Sequence, residues 1–164
     1  MTPAADVAGA PAALEALLVR VRDALGLRAE VEVTQGEGVL TGTLDGEELG
    51  LFIGRHGATI DAVQHLAQRI VLPPRLDPPV RVTVDAEGYR ARREDGLRRQ
   101  ADEAVDEALR FDRPAALDAM SAAERKIVHQ YLADRADVTT HSEGDEPARH
   151  LVVTRAAAPA APAA

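Results

Sequence analysis

The segment Leu51-Phe52-Ile53-Gly54-Arg55-His56-Gly57-Ala58-Thr59-Ile60 limits the fold more than any other stretch. An apolar triplet runs into two glycines set three apart, and a helical pattern begins directly after them. Glycine reaches backbone conformations closed to other residues and lets another chain approach the main chain closely. The start of the helix adds N–H groups without intrahelical acceptors and a partial positive charge, a pairing that suits a phosphate. The chain around this segment must therefore supply a short helix, a tight loop and a longer helix in succession. A G-x-x-G arises about once by chance in a chain of this length at average glycine usage, so the flanking elements decide its meaning.

Before it, Leu14, Leu17, Leu18, Val21 and Leu25 recur at helical spacing from Pro11, and Gly26 suits the stop. Arg28–Thr34 and Val39–Leu44 alternate around Gln35-Gly36-Glu37-Gly38, which reads as a hairpin. Glu47–Ile53 is expected as a short helix. Ala58–Leu72 is expected as a second, with Ile60, Val63, Leu66, Ala67 and Ile70 turned inward. Pro73-Pro74-Arg75-Leu76-Asp77-Pro78-Pro79 is a stiff loop that no regular element can cross. Val80–Val84 alternates as a third strand. This order packs helices on one face of a three-stranded sheet.

The rest repeats the scheme. Glu87–Phe111 is one long helical stretch with Leu97, Ala101, Ala104, Val105, Ala108 and Leu109 in a stripe. Pro114–Asp118 suits a short edge strand. Ser121 with Glu124 forms a capping box for a helix to about Ala133, and Asp137–Ser142 with Ala148–Thr154 forms a hairpin. The fold class is α+β: two small tandem domains, each with helices packed on one face of a three-stranded sheet. The boundaries expected are residues 12–86 and 87–155, between an Ala-rich segment 1–11 and an Ala/Pro tail 156–164, both expected to be disordered.

With aromatics at 2% and no Cys, both cores must be aliphatic, and disulfides and Cys-based zinc sites are excluded. No apolar run approaches membrane-spanning length and the N-terminus lacks a leader pattern, so no membrane insertion and a cytoplasmic location are expected. The net charge of −8 speaks mildly against a general nucleic-acid binder, but it is uneven. Residues 51–100 hold 9 basic and 6 acidic side chains, a net of +3, while residues 1–50 (3 and 9) and 101–164 (7 and 12) are acidic. The arginines Arg90, Arg92, Arg93, Arg98 and Arg99 crowd the start of the long helix, where the dipole disfavours cations. They face either a partner or neighbouring acids.

In the opening loop Arg55 is the expected phosphate contact, and His56, an imidazole mostly neutral at pH 7, adds little fixed charge. Ile53, Ile60 and Val63 flank the loop and either line an apolar groove for bases or belong to the core. Arg125 and His129 lie four apart on one helix face and can hold a second phosphate. His141 and His150 near Glu143 and Asp145 make a metal site conceivable, but an acidic turn reads better as solvated. No cofactor is expected. No P-loop, G-x-S-x-G or zinc-protease spacing is present, so the chain is read as not an enzyme.

Three stretches resemble one known family. Ile53-Gly54-Arg55-His56-Gly57-Ala58-Thr59-Ile60-Asp61-Ala62-Val63-Gln64 is similar to the G-x-x-G segment of a bacterial type II KH domain. Arg81-Val82-Thr83-Val84-Asp85-Ala86-Glu87-Gly88-Tyr89-Arg90-Ala91-Arg92-Arg93-Glu94 resembles the junction that follows it in the Jag family of KhpB/EloR-type bacterial RNA-binding proteins. Met120-Ser121-Ala122-Ala123-Glu124-Arg125-Lys126-Ile127-Val128-His129 resembles that family's R-x-x-x-H (R-three-H) domain, and Ser142-Glu143-Gly144 with Arg149 its closing hairpin. The resemblance covers about residues 12–155.

It implies two tandem modules for single-stranded RNA, or alternatively single-stranded DNA, and a role in post-transcriptional control, as an RNA chaperone, and in cell elongation and division. It assigns the RNA clamp to Ile53, Gly54, Arg55, His56, Gly57, Thr59 and Ile60, and the second contact to Arg125 and His129. It also implies a homodimer, or a heterodimer with a small single-KH-domain protein. A protein–protein adaptor with incidental RNA binding is the alternative. Ala122-Ala123 stand where the family usually has Pro-Tyr, which removes a stacking ring.

Overall fold

Ala10, Leu14 and Leu18 form the buried side of the first helix, α1 (Ala10–Ala24). Gly26, at φ 66°, supplies the left-handed residue that ends it. In the computed structural model, which describes residues 9–72 and 79–157, α1 packs on a hairpin of β1 (Ala29–Gly36) and β2 (Val39–Gly46). The register sets Ala29 opposite Gly46 and Gly36 opposite Val39, closed by Glu37-Gly38. Along β2 the core face is Leu40, Gly42 and Leu44. Gly42 is obligatory there: a Cβ would run into the Leu18 methyl and stand 3.1 Å from Leu14.

The chain then crosses over through α2 (Gly50–Ile53) and α3 (Ala58–Val71) to β3 (Arg81–Ala86), which pairs parallel to β2. A parallel neighbour requires such a crossover. The expected helix over Glu47–Ile53 shortens to Gly50–Ile53, because Glu48 sits at φ 58° and a right-handed helix cannot contain it. Phe52 is fully buried among aliphatics.

On α3 the buried residues are Ile60, Val63, Ala67 and Val71. Leu66 and Ile70, expected inward, are instead 53% and 63% exposed. The free edge of β3 is closed by side chains of α3. Gln68 accepts from the Val82 N–H at 2.7 Å, and Gln64 accepts from the Val84 N–H at 3.0 Å. Arg90 donates to the Val84 carbonyl at 2.9 Å and pairs with Asp61 at 2.9 Å.

The chain divides into two units between Arg90 and Ala91. The second contains most of α4 (Tyr89–Phe111), then β4 (Ala115–Ala116), α5 (Ala122–Leu132), β5 (Val138–Glu143) and β6 (His150–Arg155). The sheet order is β4-β6-β5, antiparallel throughout. The stripe Leu97, Ala101, Ala104, Val105 and Ala108 is buried with Val128, Leu132, Leu151 and Val153. Both cores are aliphatic apart from Phe52, and the α+β arrangement of helices against two three-stranded sheets stands as expected. Residues 1–8, 73–78 and 158–164, which include most of the expected terminal segments and of the proline-rich loop, lie outside the described residues.

Candidate nucleic-acid interface

The loop between α2 and α3 is built on three left-handed-side residues in four. Gly54 has φ 73° and ψ 175°, His56 φ 52° and ψ 28°, and Gly57 φ 80° and ψ 11°. The Gly54 conformation is essentially restricted to glycine. A Cβ there would collide with the Thr59 hydroxyl and lie 2.8 Å from the Thr59 nitrogen. A Cβ on Gly57 would stand 3.0 Å from the Tyr89 ring. Thr59 and Tyr89 thus set the floor of the loop, and its own bonds tighten it: Gly57 N–H to Gly54 O at 3.2 Å, and Gly54 N–H to Gly50 O at 2.8 Å.

On that floor Arg55 and His56 are exposed, directly before the N-terminus of α3. Arg55 is the loop's fixed cation, and the helix dipole adds a partial positive charge at the same place. Ile53 is half-buried against the core and Val63 is buried. Of the two readings left for Ile60, base groove or core, its position agrees with the core. Its side chain is fully buried, so it anchors α3 and offers no surface to a ligand. Thr59 is half-buried behind Gly54 and acts as packing support. Tyr89 carried no signal of this role in the sequence beyond being one of four aromatic rings.

In the second unit Ser121 and Glu124 form the expected capping box: the Glu124 N–H donates to Ser121 Oγ at 3.3 Å, and the Ser121 N–H to Glu124 Oε2 at 2.9 Å. Arg93 Nε donates to the other oxygen, Oε1, at 2.7 Å. This starts α5 and puts Arg125 and His129 on the wall of one open cleft of about 340 Å³, which Lys126, Thr140, His141 and Ser142 also line. The two sequence-predicted residues are therefore brought together, but they differ in kind. Arg125 is buried, donating from Nη1 to Met120 O and from Nη2 to Glu146 Oε1, both at 2.8 Å. His129 is exposed, with Nδ1 2.6 Å from Thr140 Oγ1.

Lys126 and His141 were not singled out as cleft residues by sequence. The sequence period did not point to them: strand alternation sets His141 on the face opposite Thr140 and Ser142, and Lys126 is adjacent to Arg125 on α5, a spacing that does not share a helix face. His141 Nε2 lies 2.7 Å from Glu143, and His150 Nδ1 lies 3.2 Å from Ala148 O. Among the described residues no group of three or more His, Asp or Glu is placed to hold a metal ion. Of the early α4 arginines, Arg90 and Arg93 pair with Asp61 and Glu124 on neighbouring helices, and Arg98 pairs with Glu94 on the exposed surface of α4 itself. Further along α5, Tyr131 donates to Asp102, and this bond, with lesser help from desolvation, raises the phenol above its ordinary pKa and keeps it a neutral donor.

Two family models match the chain: one for the KH domain of KhpA and KhpB over residues 12–85, and one for the R-three-H domain over residues 95–155. Curated relatives of the chain carry the name RNA-binding protein KhpB. That of Lactiplantibacillus plantarum is 37% identical over 150 residues, covering 92% of this chain and 46% of the relative. That of Clostridium symbiosum is 33% identical over 139 residues, 84% of this chain and 62% of the relative. That of Bacillus subtilis is 32% identical over 139 residues, 84% and 66%. The chain thus spans about half to two thirds of the length of these relatives. No described helix is long and apolar enough to cross a membrane. With the loop at Gly54–Gly57 in the one unit, the Arg125–His129 cleft in the other, and both models matching in that order, the chain belongs to the Jag family of KhpB type, which joins a type II KH domain to an R-three-H domain.

Proposed function

We propose that the chain is a non-catalytic, cytoplasmic protein that binds single-stranded RNA and acts in post-transcriptional control, as a regulator or chaperone, in cells where that control bears on elongation and division. The observation that carries this is the exposed Arg55-His56 pair, held between two glycines at a helix N-terminus by Thr59 and Tyr89. The name shared by the relatives supports the same ligand. A backbone clamp of this kind takes about four nucleotides. The acidic total charge favours modest, salt-sensitive affinity.

The test is a binding titration with short single-stranded RNA at low salt, comparing wild type with Arg55→Asp, His56→Asp. Both positions are exposed, and aspartate tolerates the left-handed conformation at 56. Affinity is expected to fall by about tenfold or more, since a phosphate contact is replaced by repulsion. Equal binding by the two proteins would sink the proposal.

A second reading, self-association or pairing with a small KH-domain protein, has its own observation. Leu66 and Ile70 lie one turn apart on α3 and are exposed, whereas pairing through the β3 edge is blocked by Gln64, Gln68 and Arg90. Under this reading Ile70→Arg converts a dimer to a monomer in light scattering, with ribonuclease present throughout, and RNA affinity per chain changes less than about twofold. A wild-type chain that is monomeric at high concentration removes the homodimer.

A further inference from the structure

Resting on the reading of the α5–β5 cleft as a nucleic-acid contact, we propose that Lys126 is its phosphate-binding cation and that Arg125 is a positioning residue. The Arg125 side chain is only 11% exposed. Its two terminal nitrogens are directed to Met120 O and Glu146 Oε1, each at 2.8 Å. It lies three and seven residues before Val128 and Leu132, both buried, so it belongs to the inward face of α5. These bonds join the start of α5 to the β5–β6 turn. A phosphate approaching this guanidinium would meet the Glu146 carboxylate, which is already bound there. Arg125 therefore fastens the turn that forms the cleft wall, and its charge is compensated.

Lys126 is the opposite case. It lines the same cleft and is exposed. Among the described residues its ammonium makes no ion pair or hydrogen bond, and it is the chain's single lysine. A compact ammonium on a flexible stem offers three donors to a phosphate oxygen without a fixed approach. The cleft's other groups are engaged: His129 with Thr140 at 2.6 Å and His141 with Glu143 at 2.7 Å. The turn beside it carries Glu143, Asp145 and Glu146. A cation without an internal counter-charge is what gives such a cleft net attraction for a polyanion, and among its described side chains only Lys126 supplies one.

The experiment uses the full chain with the Arg55-His56 loop intact and an eight-nucleotide oligouridylate as probe. Affinity is measured across salt concentration, with the unfolding midpoint of each variant alongside. Lys126→Ala is expected to weaken binding about five- to tenfold at low salt and to reduce the salt slope by about 0.7, the value for one phosphate on a single strand. Its midpoint should not move, and Lys126→Arg should restore both readouts. Arg125→Lys keeps the charge but cannot bridge Met120 and Glu146. It is expected to lower the midpoint while leaving the salt slope unchanged.

Wild-type affinity and slope in Lys126→Ala would overturn the assignment, as would weakened binding with an unmoved midpoint in Arg125→Lys. A wild-type chain that binds no oligouridylate at low salt would sink the RNA reading and the Lys126 role with it. The Arg125 fastening would still be decided by the midpoint.

Discussion

Gly54→Ala is expected to lower the stability of the first unit by about 2–6 kcal/mol, from backbone strain of about 1–3 and overpacking of about 1–3 kcal/mol. Both causes act at one atom. The φ of 73° with ψ of 175° is closed to a residue with a Cβ, and that Cβ would sit 2.8 Å from the Thr59 nitrogen. Rotating Thr59 relieves the clash with its hydroxyl but not the approach of the backbone. Two neighbouring glycines give the comparison. Gly57→Ala also meets a positive φ, of 80°, but its obstacle is the Tyr89 ring at 3.0 Å, which can shift, so its effect should be smaller. Gly50 is helical and a Cβ there meets nothing within 4 Å. Gly50→Ala should therefore be neutral or stabilise by up to about 1 kcal/mol. Thermal or denaturant unfolding reads the order directly, with a midpoint drop of roughly 8 °C or more expected for Gly54→Ala in a unit of this size. Equal midpoints for the variants at 54 and 50 would show that the loop relaxes without strain.

That expectation also decides how the loop's function is tested. A substitution at Gly54 removes structure along with any contact, so lost binding would not identify the contact. Arg55 and His56 are exposed on a floor they do not build, and changes there report on the ligand.

The order of elements was legible because hydrophobic period and turn residues agreed along most of the chain. The hairpin at Glu37-Gly38 and the capping box at Ser121–Glu124 are local features, and local sequence specifies them. The face of α3 was not. Its apolar residues Ile60, Val63, Leu66, Ala67, Ile70 and Val71 lie on an arc of about 140°, wider than the roughly 100° stripe a core-facing helix needs. Two inward stripes were therefore compatible with the pattern, and packing on the sheet chose the one ending at Val71 and left Leu66 and Ile70 outside. The glutamines that close the β3 edge were equally hidden, since Gln64 and Gln68 read as ordinary polar helix positions until the strand beside them is placed.

The candidate sites divide in the same way. The positive-φ glycines were legible from residue type. The burial of Ile60 and of Arg125 was not, though Arg125 stands in register with Val128 and Leu132 and the helical period contained that signal. An arginine was read as a surface charge because arginine is seldom buried unless paired, and its partner Glu146 lies 21 residues away.

Glu124→Ala is the change expected to cost the second unit most at a polar position, about 2–4 kcal/mol. Glu124 is only 7% exposed and both of its oxygens are in use. Oε2 accepts the Ser121 N–H that α5 cannot satisfy itself, and Oε1 accepts from Arg93 at 2.7 Å. Truncation removes the reciprocal half of the cap and takes a carboxylate away from a guanidinium whose side chain is 22% exposed. Two further variants separate these effects. Ser121→Ala removes the other half of the cap and leaves the Arg93 contact, so about 1 kcal/mol is expected. Glu124→Gln keeps one acceptor for the Ser121 N–H but turns an NH2 donor toward Arg93, so it loses the whole Arg93 contact and should fall between the two. If Glu124→Ala and Ser121→Ala destabilise equally, the Arg93 pair contributes nothing net, its desolvation offsetting its attraction. If Glu124→Gln is nearly as damaging as Glu124→Ala, the Arg93 contact outweighs the cap. The same substitution bears on the cleft, because α5 starts at this cap and carries Arg125, Lys126 and His129 in its first two turns. A frayed start would displace all three together, so Glu124→Ala should weaken any RNA contact at this cleft without removing a group that touches the ligand.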